Sequence, residues 1–262
     1  MGKTKVVQQV GSQTCTLKTK HDFNWLEQMG DVFAVFDQQD SGNISFGVQT
    51  SVGRKFVKYA GAETLYYEGE RNDAIKRLNE SVAVYKDLTH PTLVHLNQHF
   101  ETAHGYALVF DWVEGECLHS HWSFPPPEKY THSDSPFYKF KQLPIEKRIE
   151  VLTAIFDFHK HVERQGYVAI DFYDGSILYD FLTNTTTICD IDVYSKKPYI
   201  NEMGRMWGSS RFMSPEEFVR GAVIDERTNV YTMGAAAFVL LGGEKDRSLA
   251  KWEASERYTK SL

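Results

Sequence analysis

Two aspartates carry the first suggestion of chemistry in this chain. Asp171 opens the segment Asp171-Phe-Tyr-Asp-Gly-Ser176-Ile-Leu-Tyr-Asp180, and Asp190 lies in Ile188-Cys189-Asp190-Ile191-Asp192, after a short run of threonines. Further on stands Gly208-Ser-Ser-Arg-Phe-Met-Ser-Pro-Glu216. One carboxylate that orients a hydroxyl and another that holds Mg²⁺ suit phosphoryl transfer from a nucleotide. Mg²⁺ prefers carboxylate and phosphate oxygens, and the transfer itself needs mostly positioning and charge stabilisation. Lys58, in Phe56-Val57-Lys58, is a cation able to bind nucleotide phosphates. Taken by itself it reads more readily as a solvent-facing lysine on an alternating strand, and the strand order and downstream acids reverse that preference. Asp174 and Asp180 read as loop or strand-end residues.

The elements that must position these groups are outlined by pattern. Residues 31–60 predict three strands: Val32-Phe-Ala-Val-Phe36, then Ile44-Ser-Phe-Gly-Val48 and Lys55-Phe-Val-Lys-Tyr59 as an antiparallel pair about Gly53. Asp40-Ser-Gly-Asn43 has turn chemistry. Ile75, Leu78, Val82 and Tyr85 recur at helical steps, which predicts a helix over 72–88 that His90-Pro91 ends. Leu93-Val-His-Leu and Tyr106-Ala-Leu-Val-Phe110 predict two further strands, and Glu114-Gly115-Glu116 a hinge. Residues 123–144, with Pro125-Pro-Pro127, Pro136 and Pro144, read as a mobile surface excursion. Helical spacing resumes at Ile145, Ile149, Leu152, Phe156 and His159, and a buried helix over 229–241 stops at Gly242-Gly243. Sheet first and helices after argue for an α+β protein of two lobes. Residues 1–113 would form a β-rich lobe of five antiparallel strands and one main helix, and residues 114–262 a mainly helical lobe.

Bulk properties narrow the function class. At 262 residues the chain has ample size for a core, and 42% hydrophobic with 24% charged residues is ordinary for a soluble protein. A net charge of −6 without a long basic run argues against a nucleic-acid partner held by a broad electrostatic patch. Cys15, Cys117 and Cys189 are far apart, with neither metal-ligand spacing nor a disulfide framework, which points to a reducing cytosol. No apolar stretch follows Lys3 and Lys5, so no signal peptide is expected. The longest apolar run, residues 233–241, is too short to span a bilayer, so no membrane partner is expected either.

Taken in order, over about residues 30–245, these pieces resemble the protein kinase-like superfamily in a divergent form, a bacterial-type serine/threonine protein kinase-like protein. The resemblance is carried by Lys58, by Ala107-Leu-Val-Phe110-Asp111-Trp112-Val113-Glu114-Gly115, by the two acid segments and by Gly208 to Glu216. Asp225-Glu-Arg-Thr-Asn229-Val-Tyr-Thr-Met-Gly234 follows. It implies a two-lobed protein kinase-like fold with a small β-rich N-lobe, a shortened helical C-lobe, and ATP and Mg²⁺ as ligands. Lys58 would hold phosphates with the turn residues Gly42, Asn43 and Ser45. The Asp111 carbonyl and Val113 backbone would pair with adenine, with Leu178 under the ring and Phe110 at the back of the pocket. Asp171 would orient the acceptor hydroxyl. Asp190 and Ser176, with Asp192 beside them, would hold Mg²⁺. Ser209 falls on the hydroxyl residue that contacts the catalytic acid, and Glu216 on the structural glutamate usually paired with a late arginine.

The departures are specific. The glycine turn keeps only Gly42 and Gly47. Ala169-Ile170 stands in place of His-Arg, which removes the usual partner of a phosphorylated activation loop. Tyr173 replaces the lysine that neutralises the moving phosphoryl group, Ser176 an asparagine, and Asn229 the acid that braces the catalytic loop. Ser81 holds the place of the helix glutamate that pairs with the strand lysine. Glu80 is one residue off, about 100° around the helix, and reaches Lys58 only if the helix is rotated or bulged. The end of the chain soon after Glu216 implies a shortened large lobe and a missing late arginine. The expectation is a cytoplasmic, ATP- and Mg²⁺-dependent phosphotransferase acting on a hydroxyl acceptor, a protein serine or threonine ahead of a small molecule. The alternative is a pseudokinase, a nucleotide-binding or scaffolding module without turnover.

Overall fold

A computed structural model describes residues 5–120 and 122–242. The chain forms two compact units: one of residues up to Lys86 with Val94–Val113, the other of Asp87–Leu93 and residues from Glu114 onward.

The first unit opens with an antiparallel hairpin, β1 (Val6–Val10) and β2 (Gln13–Leu17), and one helical turn, α1 (Asn24–Glu27). The apolar pattern does not announce this hairpin. It is short and polar at alternate positions, yet it buries Val10, Cys15 and Leu17. Then come β3 (Asp31–Phe36), β4 (Asn43–Thr50), β5 (Gly53–Ala60), α2 (Arg71–Asp87), β6 (Leu96–Thr102) and β7 (Gly105–Asp111). The five strands form one antiparallel sheet in the order β3-β4-β5-β7-β6. β6 starts later than the predicted Leu93, because Leu93 makes a parallel bridge to Ile188 in the second unit's own framework.

Strand alternation sorts the sheet into two faces. Ile44, Phe46, Val48, Val57, Tyr59, Ala107 and Val109 bury with Phe23, Leu26 and the hairpin. Each large apolar side chain so buried contributes roughly 1.5–3 kcal/mol. Ser45 pairs with Lys58 and Phe56 with Phe110, so these residues share the opposite face. α2 lies against that face through Tyr85, which meets Phe110 edge-on at 4.9 Å.

The second unit contains β8 (Glu116–Cys117), α3 (Glu128–Thr131), α4 (Pro136–Lys141), α5 (Ile145–Arg164), β9 (Tyr167–Val168), β10 (Ile177–Asp180) and β11 (Thr185–Ile188). β12 (Ser195–Lys196), β13 (Tyr199–Ile200), β14 (Val223–Ile224) and α6 (Glu226–Leu241) follow. β10 pairs with β11 on one side and β8 on the other.

The proline-rich stretch corrects the expectation of a loose excursion. Pro136 begins α4 where its missing N–H costs nothing, and the Ser135 hydroxyl caps that helix by accepting from the Tyr138 N–H. Ser135, Phe137, Phe140 and Lys129 are buried. α6 starts ahead of the predicted Asn229 because Asp225 caps it. Of its predicted stop, Gly243 lies outside the described residues. No described helix is long and apolar enough to cross a membrane.

Candidate active site

Among the described residues, the non-glycine positions with left-handed φ are Asp171 (66°), Asn184 (56°) and Asp190 (56°). Such a backbone costs on the order of 1–3 kcal/mol, so the surroundings must enforce it. Around Asp171 that enforcement is apolar and polar at once. Phe172 is buried with its ring 4.3 Å from that of His159, and Ile170 packs with Val168, Met206, Met213 and Ile224. Burial pushes His159 down to about 4, so it is neutral. Its Nδ1 donates to the Ile155 carbonyl (2.8 Å), which leaves Nε2 to accept from the Tyr194 hydroxyl (2.9 Å).

The residue expected to weaken this support does not. Asn229 Oδ1 accepts from the Ala169 N–H at 2.8 Å, two residues before Asp171. Its amide nitrogen donates to Glu163 (2.8 Å) and to the Tyr167 carbonyl (2.9 Å). Asparagine supplies the acceptor that a carboxylate would, and the negative charge sits one shell back on Glu163, which is paired with Lys197.

Ser176 and Asp190 leave adjacent strand ends. Ile177 pairs with Ile188, and the Cys189 N–H donates to the Ser176 carbonyl at 2.9 Å. Ser176 is fully buried, and its hydroxyl has no partner among the described residues. An orphaned buried hydroxyl at a strand end next to an acidic segment is what a ligand oxygen or a metal would satisfy. Asp192 sits in the following turn, where the Tyr194 N–H donates to the Ile191 carbonyl (3.1 Å). No cluster of three or more His, Cys, Asp or Glu side chains suited to a metal occurs among the described residues. A Mg²⁺ site completed by nucleotide phosphates and water does not need one. Tyr173 lies over Gly175, where a Cβ would meet its ring at 2.3 Å. Burial, then Asp190 and Asp171, hold its phenol far above the ordinary range, so it remains a neutral donor.

Sequence reasoning missed the strongest ionic feature. Asp174 is fully buried between Lys129 Nζ (2.5 Å) and Arg211 Nη2 (2.9 Å), with His119 Nδ1 at 3.8 Å. Burial alone would raise its carboxyl. Lys129 and Arg211, with a smaller part from His119, outweigh that and hold it well below the usual carboxylate range. Burial lowers Lys129 to about 8 against the pull of Asp174. Asp174 and Arg211 both stood in quoted segments, but Lys129 lies in the proline-rich stretch, where no spacing marked it.

The segment carrying Ser209 comes up to Asp171. A Cβ at Gly208, whose φ is 124°, would lie 3.3 Å from Asp171 Oδ1. The Ser209 carbonyl accepts from the Phe212 N–H at 2.8 Å. Glu216 accepts from the Thr228 hydroxyl at 2.6 Å, a partner the sequence did not suggest; Arg247 and Arg257 lie outside the described residues. Buried Glu217 accepts from the Ser214 N–H (2.6 Å) and hydroxyl (3.0 Å), and burial pushes it up to about 7. Asn201 Nδ2 donates to the Glu216 and Glu217 carbonyls, closing the segment on itself.

In the first unit, Lys58 is buried on β5 directly across from Ser45. Asn43 and Ser45 are also buried, and Asn43 Oδ1 and Ser45 Oγ have no partner among the described residues. Asp111 ends β7 with its carboxylate held by Lys55 (2.6 Å) and Asn97 (3.2 Å). Val113 lies past the strand. Leu178 is a half-buried member of β10 in the second unit, paired with Thr187 and Cys117. A Cβ at Gly42 would sit 2.8 Å from both Ala74 and Tyr67, so the turn packs closely at this glycine. Glu80 points to solvent, 3.8 Å from Lys76, while Ser81 takes the buried side of an undistorted α2.

No family model matches the chain. It is 24% identical over 208 residues to the serine/threonine-protein kinase pkn2 of Myxococcus xanthus, covering 77% of this chain and 23% of that protein. It is 22% identical over 205 residues to a probable serine/threonine-protein kinase PknB of Lactococcus lactis, covering 77% and 30%. It is 25% identical over 173 residues to the serine/threonine-protein kinase PrkC of Bacillus subtilis, covering 66% and 24%. The chain thus spans about a quarter of the length of the curated relatives it matches. The relationship is a divergent protein kinase-like one, and the β-rich first part and helical later part agree with it.

Proposed function

We propose that this divergent relative of bacterial serine/threonine protein kinases is an ATP- and Mg²⁺-dependent phosphotransferase acting on a hydroxyl acceptor. The observation that carries the reading is the buried, unpartnered Ser176 hydroxyl on the strand end next to that of Asp190, in a framework that holds both Asp171 and Asp190 in left-handed backbone. In the second unit Asp171 orients the acceptor hydroxyl, and Asp190 and Ser176 hold Mg²⁺, with Asp192 next to them. Mg²⁺ when bound neutralises charge on the phosphate oxygens. In the first unit Lys58, Asn43 and Ser45 hold phosphates, and the backbone of Asp111 and Val113 pairs with the base. The orphaned Asn43 and Ser45 oxygens support that assignment. The approach of Gly208 to Asp171 favours a protein serine or threonine as acceptor, ahead of a small molecule.

A pseudokinase is the second reading, favoured by Tyr173 in place of a lysine, since one transition-state donor is worth roughly 2.7–4 kcal/mol. Thermal unfolding with ATP, with and without Mg²⁺, and turnover of labelled ATP separate the two. Saturation a hundredfold above the dissociation constant stabilises by about 2.7 kcal/mol. A Mg²⁺-dependent rise in the midpoint, lost in Asp190→Asn, is expected from nucleotide binding. Turnover abolished in Asp171→Asn with binding retained is expected from the enzyme. Binding without turnover leaves the pseudokinase, and turnover unchanged in Asp171→Asn overturns the mechanism.

A further inference from the structure

The segment from Asn201 to Glu217 is tied to the segment from Ala169 to Ser176 by contacts that require no added charge. Ile170 is buried among Met206 and Met213, so a phosphate placed on the former segment finds an apolar residue where an arginine would receive it. A few residues on, Asp174 receives Arg211 from the 208–216 segment and Lys129 from α3. A buried carboxylate is costly unless paired, and withdrawing one cation from such a group is costlier than breaking a surface pair. Arg211 Nη2 donates to both Asp174 oxygens, at 2.9 and 3.2 Å, a charge-assisted contact to a fully buried carboxylate. The rings of Tyr173 and Phe212, 6.5 Å apart, and the approach of Gly208 to Asp171 lie on the same joint.

We propose that Lys129, Asp174 and Arg211 are a positioning clamp that holds the 208–216 segment beside Asp171 in its acceptor-receiving conformation without phosphorylation of that segment. The role as acceptor segment rests on the phosphotransferase reading; the clamp itself does not. Lys129 and Asp174 set the buried charge, and Arg211 carries the segment to it.

The test uses the full chain, shown by mass to carry no phosphate, as wild type, Arg211→Gln and Arg211→Lys. Hydrogen exchange of the 206–216 amides is read first, then transfer from ATP and Mg²⁺ to dephosphorylated casein. The wild type should be protected without phosphate. Arg211→Gln should exchange at least about tenfold faster, the scale of a lost charge-assisted hydrogen bond. Its KM for casein should rise by a similar factor while kcat changes less, and Arg211→Lys should recover most of the protection. Lys129→Met, which leaves Arg211 in place, should loosen the same amides. Protection equal to wild type in both Arg211→Gln and Lys129→Met overturns the clamp, as does a wild type protected only after phosphorylation. Faster exchange in the variants with no transfer in any protein supports the clamp and counts against the phosphotransferase reading instead.

Discussion

The turn around Gly42 is shaped by apolar contact, whereas the segment around Asp171 combines apolar packing with buried charge. Both lie where the chain departs from the kinase pattern it resembles. At Gly42 the backbone is pressed against Tyr67 and Ala74, and Arg77 donates to the Ser41 carbonyl at 2.5 Å. The second unit instead uses ties to residues distant in sequence: Ala169 to Asn229, and Asp174 to Lys129 and Arg211. A glycine lost from a packed turn leaves a local problem. A charge moved within such a network must be matched elsewhere in the fold, as Asn229 is matched by the half-buried Glu163. Departures of the first kind are therefore poor guides to lost function, and departures of the second kind are read correctly only with their partners.

The largest expected effect comes from breaking the charged side of this comparison. Asp174→Ala leaves Lys129 and Arg211 with an unmatched buried charge and should cost about 3–5 kcal/mol in denaturant unfolding. A loss below about 1 kcal/mol would mean the network relaxes to solvent. Gly42→Ala tests the apolar side. The added methyl clashes with Tyr67 and Ala74 at a φ of 83°, and overpacking of this kind costs about 1–3 kcal/mol. Tyr67→Ala should relieve part of that cost in the double variant, and strict additivity would show that the contact is not its source. Asn229→Ala strips the buried Ala169 N–H of its acceptor and should cost about 1–3 kcal/mol. Asn229→Asp keeps that acceptor but places a second carboxylate against Glu163, so it should also lose stability, most of all above the ordinary carboxylate range. A further effect is a slope. Glu217 binds its proton more tightly folded, at about 7, than its ordinary 4.5. Its contribution to stability therefore falls as pH rises from about 4.5 to 7 and is flat above. Glu217→Gln should remove that fall from the pH dependence of the unfolding midpoint, and identical slopes for the two proteins would contradict it.

Much of the first unit was legible because strands and amphipathic helices write their burial into a short period. The strands over 31–60 and the helix α2 come from contacts between near neighbours, and Gly53 marks its own turn. The hairpin at the start of the chain was not legible, because its few buried residues gain meaning only against Phe23 and Leu26. The stretch 123–144 was misread for a related reason: its prolines signal breaks, and only packing shows that one of them begins a helix over buried Phe137 and Phe140. Glu80 shows the converse. The helical period placed Ser81 inward, and α2 follows that period.

The sequence by itself determined the order of sheet and helices, the aspartates at 171 and 190, and the resemblance that they carry with Lys58 and the Gly208 to Glu216 block. Tertiary structure alone decided that Asp174 is the buried anion of its segment, that Lys129 and Arg211 are its cations, and that Asn229 works through Glu163. The reason is physical. Periodicity records which side of an element faces the core, but a buried charge is satisfied by whichever residue the fold brings within a few ångströms, at any distance along the chain.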